Sequence, residues 1–128
     1  MTIRMRKDNF EAVLRFLPYF QDGSQKFYQV KEGGYSYSQP VQEFLKTLGN
    51  NGFIQPFNWT AWQDQAQRLI HSRKALSRAN LRTLIMLLTT LVKKENITEG
   101  HLMLVIGSGQ LLAILNRLQA IYREKWGG

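Results

Sequence analysis

A chain of 128 residues, 44% hydrophobic and 20% charged, is long enough to bury a core in one domain and too apolar to be disordered. It contains no cysteine, which excludes disulfides and thiolate metal sites and suits a reducing cytoplasm. Seventeen Lys and Arg against nine Asp and Glu leave a formal net charge of +8, which favours an acidic partner: nucleic acid, an anionic membrane surface or an acidic protein face.

The first residues, Met1 to Lys7, are basic, but no apolar segment of signal-peptide type follows. The longest apolar runs, such as Leu84 to Leu88, are far short of a membrane span, so no membrane insertion is expected. Phe10, Val13, Leu14 and Leu17 recur at helical spacing and predict a first helix from Asp8, as N-cap, to about Phe20. Lys26 to Lys31 loosely alternates polar and apolar residues, then Gly33-Gly34 precedes Tyr35-Ser36-Tyr37. That pattern predicts a short β-hairpin. Pro40 fits the first turn of a second helix burying Val41, Phe44, Leu45 and Leu48, ended by Asn50-Asn51-Gly52 in a left-handed C-cap.

Phe53 to Phe57 reads as an extended apolar connector. Asn58 or Thr60 then caps a helix whose stripe is Trp59, Trp62, Ala66, Leu69 and Ile70, an arc of about 100°. Both tryptophans are expected in the core. Asp64 and Arg68 stand at i,i+4. Ser72 to Ala79 reads as a basic linker with room for one helical turn. Asn80 caps a helix from Leu81 to about Lys94, expected to be central because Leu87 falls outside its main stripe. Thr98 is expected to cap a short helix that Gly107 ends. The last helix runs from about Gly109 to Lys125 on Leu111, Leu112, Ile114, Leu115, Leu118, Ile121 and Tyr122, and Trp126-Gly127-Gly128 reads as a frayed end. The expected fold is mainly α, a compact bundle of about six helices with a small hairpin in the N-terminal half. It forms one domain over residues 1–128, with residues 48–125 as its helical core.

The charge is concentrated. Between Gln65 and Lys94 lie Arg68, Arg73, Lys74, Arg78, Arg82, Lys93 and Lys94, with no carboxylate among them. These seven are the candidate residues for an anionic partner. Arg bridges phosphates bidentately while Lys acts as a point charge, and Ser72, Ser77, Thr89 and Thr90 are candidates for further phosphate contacts. No helix-turn-helix signature and no interleaved aromatics support base-specific readout.

Other chemistry is sparse. His71 and His101 are the only histidines and lack ligand spacing, so no metal is expected. Glu95, Glu99 and His101 cluster around one turn, where capping explains them: Thr98 as cap, His101 at N3. Gly107-Ser108-Gly109 resembles a phosphate-binding turn only weakly, with no following lysine, and reads as a helix–helix turn with Ser108 as cap. The sequons at Asn58 and Asn96 read as helix caps. No triad order, paired carboxylates or Walker loop is present, so no catalytic residue and no cofactor are assigned.

The second half also resembles a known family. Gly52-Phe53-Ile54-Gln55-Pro56-Phe57-Asn58-Trp59 with Trp62 is similar to the core pattern of the bacterial and phage domain of unknown function 6508 family. Leu87-Leu88-Thr89-Thr90, Lys93-Lys94, Glu99-Gly100-His101-Leu102 and Leu112-Ala113-Ile114-Leu115 look like its later landmarks, a match from about Leu48 to Tyr122. The resemblance implies a small, mainly helical, intracellular bacterial or phage protein and carries no known chemistry. Gln63, Gln65 and Gln67 stand where the pattern has some glutamates, and Leu91 where it often has a histidine. The latter argues against a metal site made by His101 and position 91. Together these readings give a non-catalytic, cytoplasmic binding domain that engages an anionic partner, such as nucleic acid, through residues 68–94. The alternative is a small phage or prophage protein-interaction module or inhibitor that docks on an acidic surface of a host protein.

Overall fold

The structure is a computed structural model that describes residues 3–127. Among these are eight α-helices, a 3-10 turn at Thr60–Trp62 and one hairpin. The helices are α1 (Lys7–Leu14), α2 (Leu17–Gln21), α3 (Gln39–Asn50), α4 (Gln63–Ile70), α5 (Arg73–Arg78), α6 (Leu81–Ile97), α7 (His101–Gly107) and α8 (Gln110–Trp126). The strands β1 (Tyr28–Lys31) and β2 (Gly34–Tyr37) pair antiparallel, Tyr28 with Tyr37 and Val30 with Tyr35. The mainly α architecture and the hairpin are those expected. Two helices are additional. The expected first helix is two, and the basic linker is helical.

Pro18 explains the break. It has no N–H, and its ring crowds the carbonyl four residues back, that of Leu14, where α1 ends. Pro18 instead sits in the first turn of α2, where no donor is needed. Arg6, rather than Asp8, is the N-cap of α1, and its N–H donates to Asn9 Oδ1 at 3.0 Å. The segment after α4 is helical because Ser72 accepts from Ala75 N at 3.1 Å, and because Leu76 and Ala79 bury themselves against the core.

The end of α3 follows the expected glycine signal. Gly52 takes φ +79°, and Phe53 N–H donates to Leu48 O at 3.0 Å, closing a Schellman motif with both side chains buried. Asn80 caps α6 through Thr83 N at 2.8 Å. That helix runs one turn further than expected and is the most enclosed. Leu84, Ile85, Leu87, Leu88, Thr89, Thr90 and Leu91 are all buried. The two threonines tolerate this because their hydroxyls are bonded. Thr89 Oγ1 accepts from Gln55 N at 3.0 Å, and Thr90 Oγ1 donates to Met86 O at 2.8 Å. They are therefore core groups and are withdrawn as phosphate contacts.

Helix α8 packs against α1, α2, α5, α6 and α7, and buries Leu111, Ile114, Leu115, Leu118 and Ile121. Its end is docked, not frayed. Trp126 meets Phe10 edge to face with centroids 5.2 Å apart, and Gly127 closes the helix at φ +66°, while Gly128 lies outside the described residues. Trp59 and Trp62 are half-buried, where most of each side chain was expected in the core. A 3-10 turn opens this segment, so the 100° wheel that aligned them with Ala66 does not apply. Trp62 still packs on the core and meets Phe57 edge to face. Among the described residues no single helix is long and apolar enough to cross a membrane. The α7–α8 pair passes that test jointly, but it bends by 68° and most of its large apolar residues, Leu104 excepted, pack in or against the core.

Candidate functional site

The seven cations are spread along three consecutive helices. Arg68 is in the last turn of α4, Arg73, Lys74 and Arg78 are on α5, Arg82 is in the first turn of α6, and Lys93 and Lys94 are in its later part. Six are exposed and Lys94 is half-buried. None has a carboxylate partner. The one ion pair among the described residues joins Arg117 to Glu124 at 3.8 Å, so the expected Asp64–Arg68 pair is not formed. Arg73 is anchored, donating to the carbonyls of Ser108 at 3.3 Å and Gly109 at 3.4 Å. Those carbonyls make the Gly107-Ser108-Gly109 turn a cation acceptor. Gly109, at φ +80°, is the N-cap of α8 in place of Ser108, whose hydroxyl donates to Val105 O. Arg82 and Lys93 are eleven residues apart, about 16 Å along the axis and within about 20° on the wheel, so they share one face.

Glu95 organises the junction of α6 and α7. Thr98 makes no side-chain cap, and Gly100, at φ +90°, is the N-cap of α7, with His101 at N1. Every donor of the first turn is nevertheless engaged. Gly100 N–H donates to Glu95 Oε2 at 3.1 Å, Leu102 N–H to Glu95 Oε1 at 2.9 Å, Met103 N–H to the Tyr37 hydroxyl at 3.1 Å, and His101 N–H to Thr98 O at 3.2 Å. The Tyr37 hydroxyl donates in turn to Glu95 Oε1. Glu99 Oε1 accepts from Tyr35 N at 2.7 Å, and a Cβ at position 34 would collide with the Glu99 carboxylate, which explains Gly34. Two glutamates thus clamp the hairpin, and the start of α7 has no free donor for an anion. The sequons need no capping role: Asn96 lies inside α6, and Asn58 accepts only from the Thr60 hydroxyl.

Burial, then the Glu95 carboxylate, raise the Tyr37 hydroxyl above its ordinary value of 10.0. The folded state keeps this proton where the unfolded chain loses it. The resulting stability is complete below pH 10 and falls as pH rises further. Urea midpoints measured between about pH 8 and 11 should therefore fall above pH 10, and Tyr37→Phe should flatten the decline. Tyr122 is also raised, by desolvation and by its hydrogen bond to Glu11.

Packing of α4, α6 and α7 encloses a cleft of about 250 Å³ that contains both histidines. Its floor is apolar: Ala66 and Ile70 from α4, Leu87 and Leu91 from α6, and Val105 from α7. Its polar lining is Gln63, Gln67, His71, Thr90, Lys94, His101 and Gln110. His71 bonds Gln67 Oε1 at 3.2 Å and Gln110 Nε2 at 3.3 Å. His101 is held below its ordinary 6.5, first by burial and then by Lys94, with Glu95 opposing, so it is neutral at pH 7. No carboxylate lines the cleft, and among the described residues no group of three or more His, Asp or Glu is placed to hold a metal. Leu91, where the resembled pattern often has a histidine, faces the same space as His101. Spacing in the sequence did not bring the two histidines together. The polar edge of α4, with Gln63 and Gln67, was the only signal available.

The fold is thus small and mainly helical, with a clamped hairpin, exposed cations without ion pairs along α4, α5 and α6, and an amphipathic cleft. The chain belongs to a family of unknown function (DUF6508), which it matches over residues 5–124. The match takes in α1, α2 and the hairpin, and so reaches well before the region from Leu48 that the motifs marked. No curated protein matches the chain. No solved structure matches it either.

Proposed function

We propose that the protein binds an anionic macromolecule, nucleic acid, without catalysis, through the basic face running from Arg68 to Lys94. The observation that carries this reading is that seven cations, six of them exposed, have no carboxylate partner. Unneutralised charge of this density attracts a polyanion at long range. Arg82 and Lys93, about 16 Å apart on one face of α6, are close enough to contact the backbone of one duplex together. With no base-reading element beside them, contact is with phosphates and independent of sequence. Titration of labelled duplex at several salt concentrations should give a log–log slope of about −3 to −5, as expected for a handful of phosphate contacts. Absence of binding at low salt would defeat the reading.

A second reading rests on a different observation. Val30 is 73% exposed, Ile97 71% and Leu104 66%. These side chains would supply apolar anchors for a protein partner, and the unpaired cations would steer it if its surface is acidic. That reading predicts indifference to duplex at every salt concentration.

A further inference from the structure

We propose that the cleft between α4, α6 and α7 is a binding site for a small organic monoanion, a carboxylate carried on an apolar body. The inference does not depend on the nucleic-acid reading, because the cleft and the exposed basic face share only Lys94. Three features of the site select this chemistry. Its volume of about 250 Å³ admits a small molecule and excludes a helix or a strand of nucleic acid. Its floor, formed by Ile70, Leu87, Leu91 and Val105, rewards an aliphatic or aryl body. Its polar lining holds one full positive charge, on Lys94, and no negative one.

Charge balance then favours one carboxylate over a phosphate dianion. Lys94 is the only member of the basic stretch turned into this space, and it is half-buried, where a charge-assisted hydrogen bond is stronger than at the surface. His101 lines the same space, and an imidazole there offers a ring N–H to the second carboxylate oxygen. Elsewhere in the lining His71 bonds both Gln67 and Gln110, which favours one arrangement of these side chains before anything enters. The lining lacks a nucleophile paired with a base, so the site is one of binding.

The two histidines make the test direct, because both line the cleft and the chain has no others. Hexanoate and benzoate should be titrated into the protein while the two imidazole Cε1–H signals are followed by NMR. Hexanamide and benzamide serve as uncharged matches. Saturable shifts of both signals are expected with the carboxylates, with affinity for the amides lower by roughly tenfold or more. Lys94→Gln should weaken carboxylate binding by roughly the same factor, leave amide binding unchanged and leave the melting temperature unaltered. It keeps Arg68, Arg73, Lys74, Arg78, Arg82 and Lys93, so duplex binding is scored separately. Three outcomes overturn the proposal: no saturable shift into the millimolar range, equal affinity for acids and amides, or a Lys94→Gln protein that binds the acids as wild type does.

Discussion

Phe10→Ala is expected to cost about 3–5 kcal/mol and to lower Tm by roughly 10–25 °C. Phe10 is fully buried, and its ring meets Phe53 at 5.7 Å and Trp126 at 5.2 Å, both edge to face. It therefore joins three distant parts of the chain: α1, the connector after α3 and the last turn of α8. Removal leaves a cavity where those elements meet, and none of them can collapse into it without losing its own contacts. Val30→Ser, at a position 73% exposed, provides the contrast and should stay within about 0.5 kcal/mol. Urea denaturation of both variants decides the matter. A loss below about 1 kcal/mol for Phe10→Ala would mean that α1 does not dock on α8.

The second large effect is expected at Glu95. Its carboxylate accepts from Gly100 N–H, Leu102 N–H and the Tyr37 hydroxyl. Glu95→Ala leaves all three donors without that acceptor, and a loss of about 2–4 kcal/mol is expected. Part of this is recovered where water reaches the half-buried site. Glu95→Gln keeps one acceptor oxygen and should lose less than Glu95→Ala. The defect should be local before it is global. Amides of Gly100, Leu102 and Met103 should lose protection from hydrogen exchange first, with those of Leu84 to Leu88 unchanged. Uniform loss of protection would contradict the view of Glu95 as a clamp at one junction.

Much of the helical framework was legible because its signals are local. The Asn50-Asn51-Gly52 stop, the Asn80 cap and the apolar stripe of α8 each act within a few residues, and each is found where the pattern puts it. Signals that depend on distant partners were not legible. The cap of α7 comes from Glu95 and Tyr37, and Tyr37 belongs to a strand 66 residues before Met103. Burial of Thr89 depends on Gln55 N–H arriving from the connector, so a polar residue on a helix wheel was read as surface. The segment from Arg73 to Arg78 has only Leu76 buried in it, too few apolar positions for a period to register. The candidate site divides along the same line. The run of cations was plain in the chain, but the cleft holding His71 and His101 exists only once α4 and α7 have packed on α6.

The basic face is the centre of this account, and one comparison tests it most directly. Arg73, Lys74, Arg78, Arg82 and Lys93 are all exposed and none is ion-paired, so replacing the five by Ser or Gln removes no core contact. Only the Arg73 bonds to the α8 turn are lost, and each substitution should change stability by no more than about 0.5 kcal/mol. Wild type and the quintuple variant should be titrated with labelled duplex across a salt series. The account predicts that the variant loses most of the affinity, and that the salt slope falls by about one unit for each phosphate contact removed. Equal binding by the two proteins, with equal slopes, would contradict it.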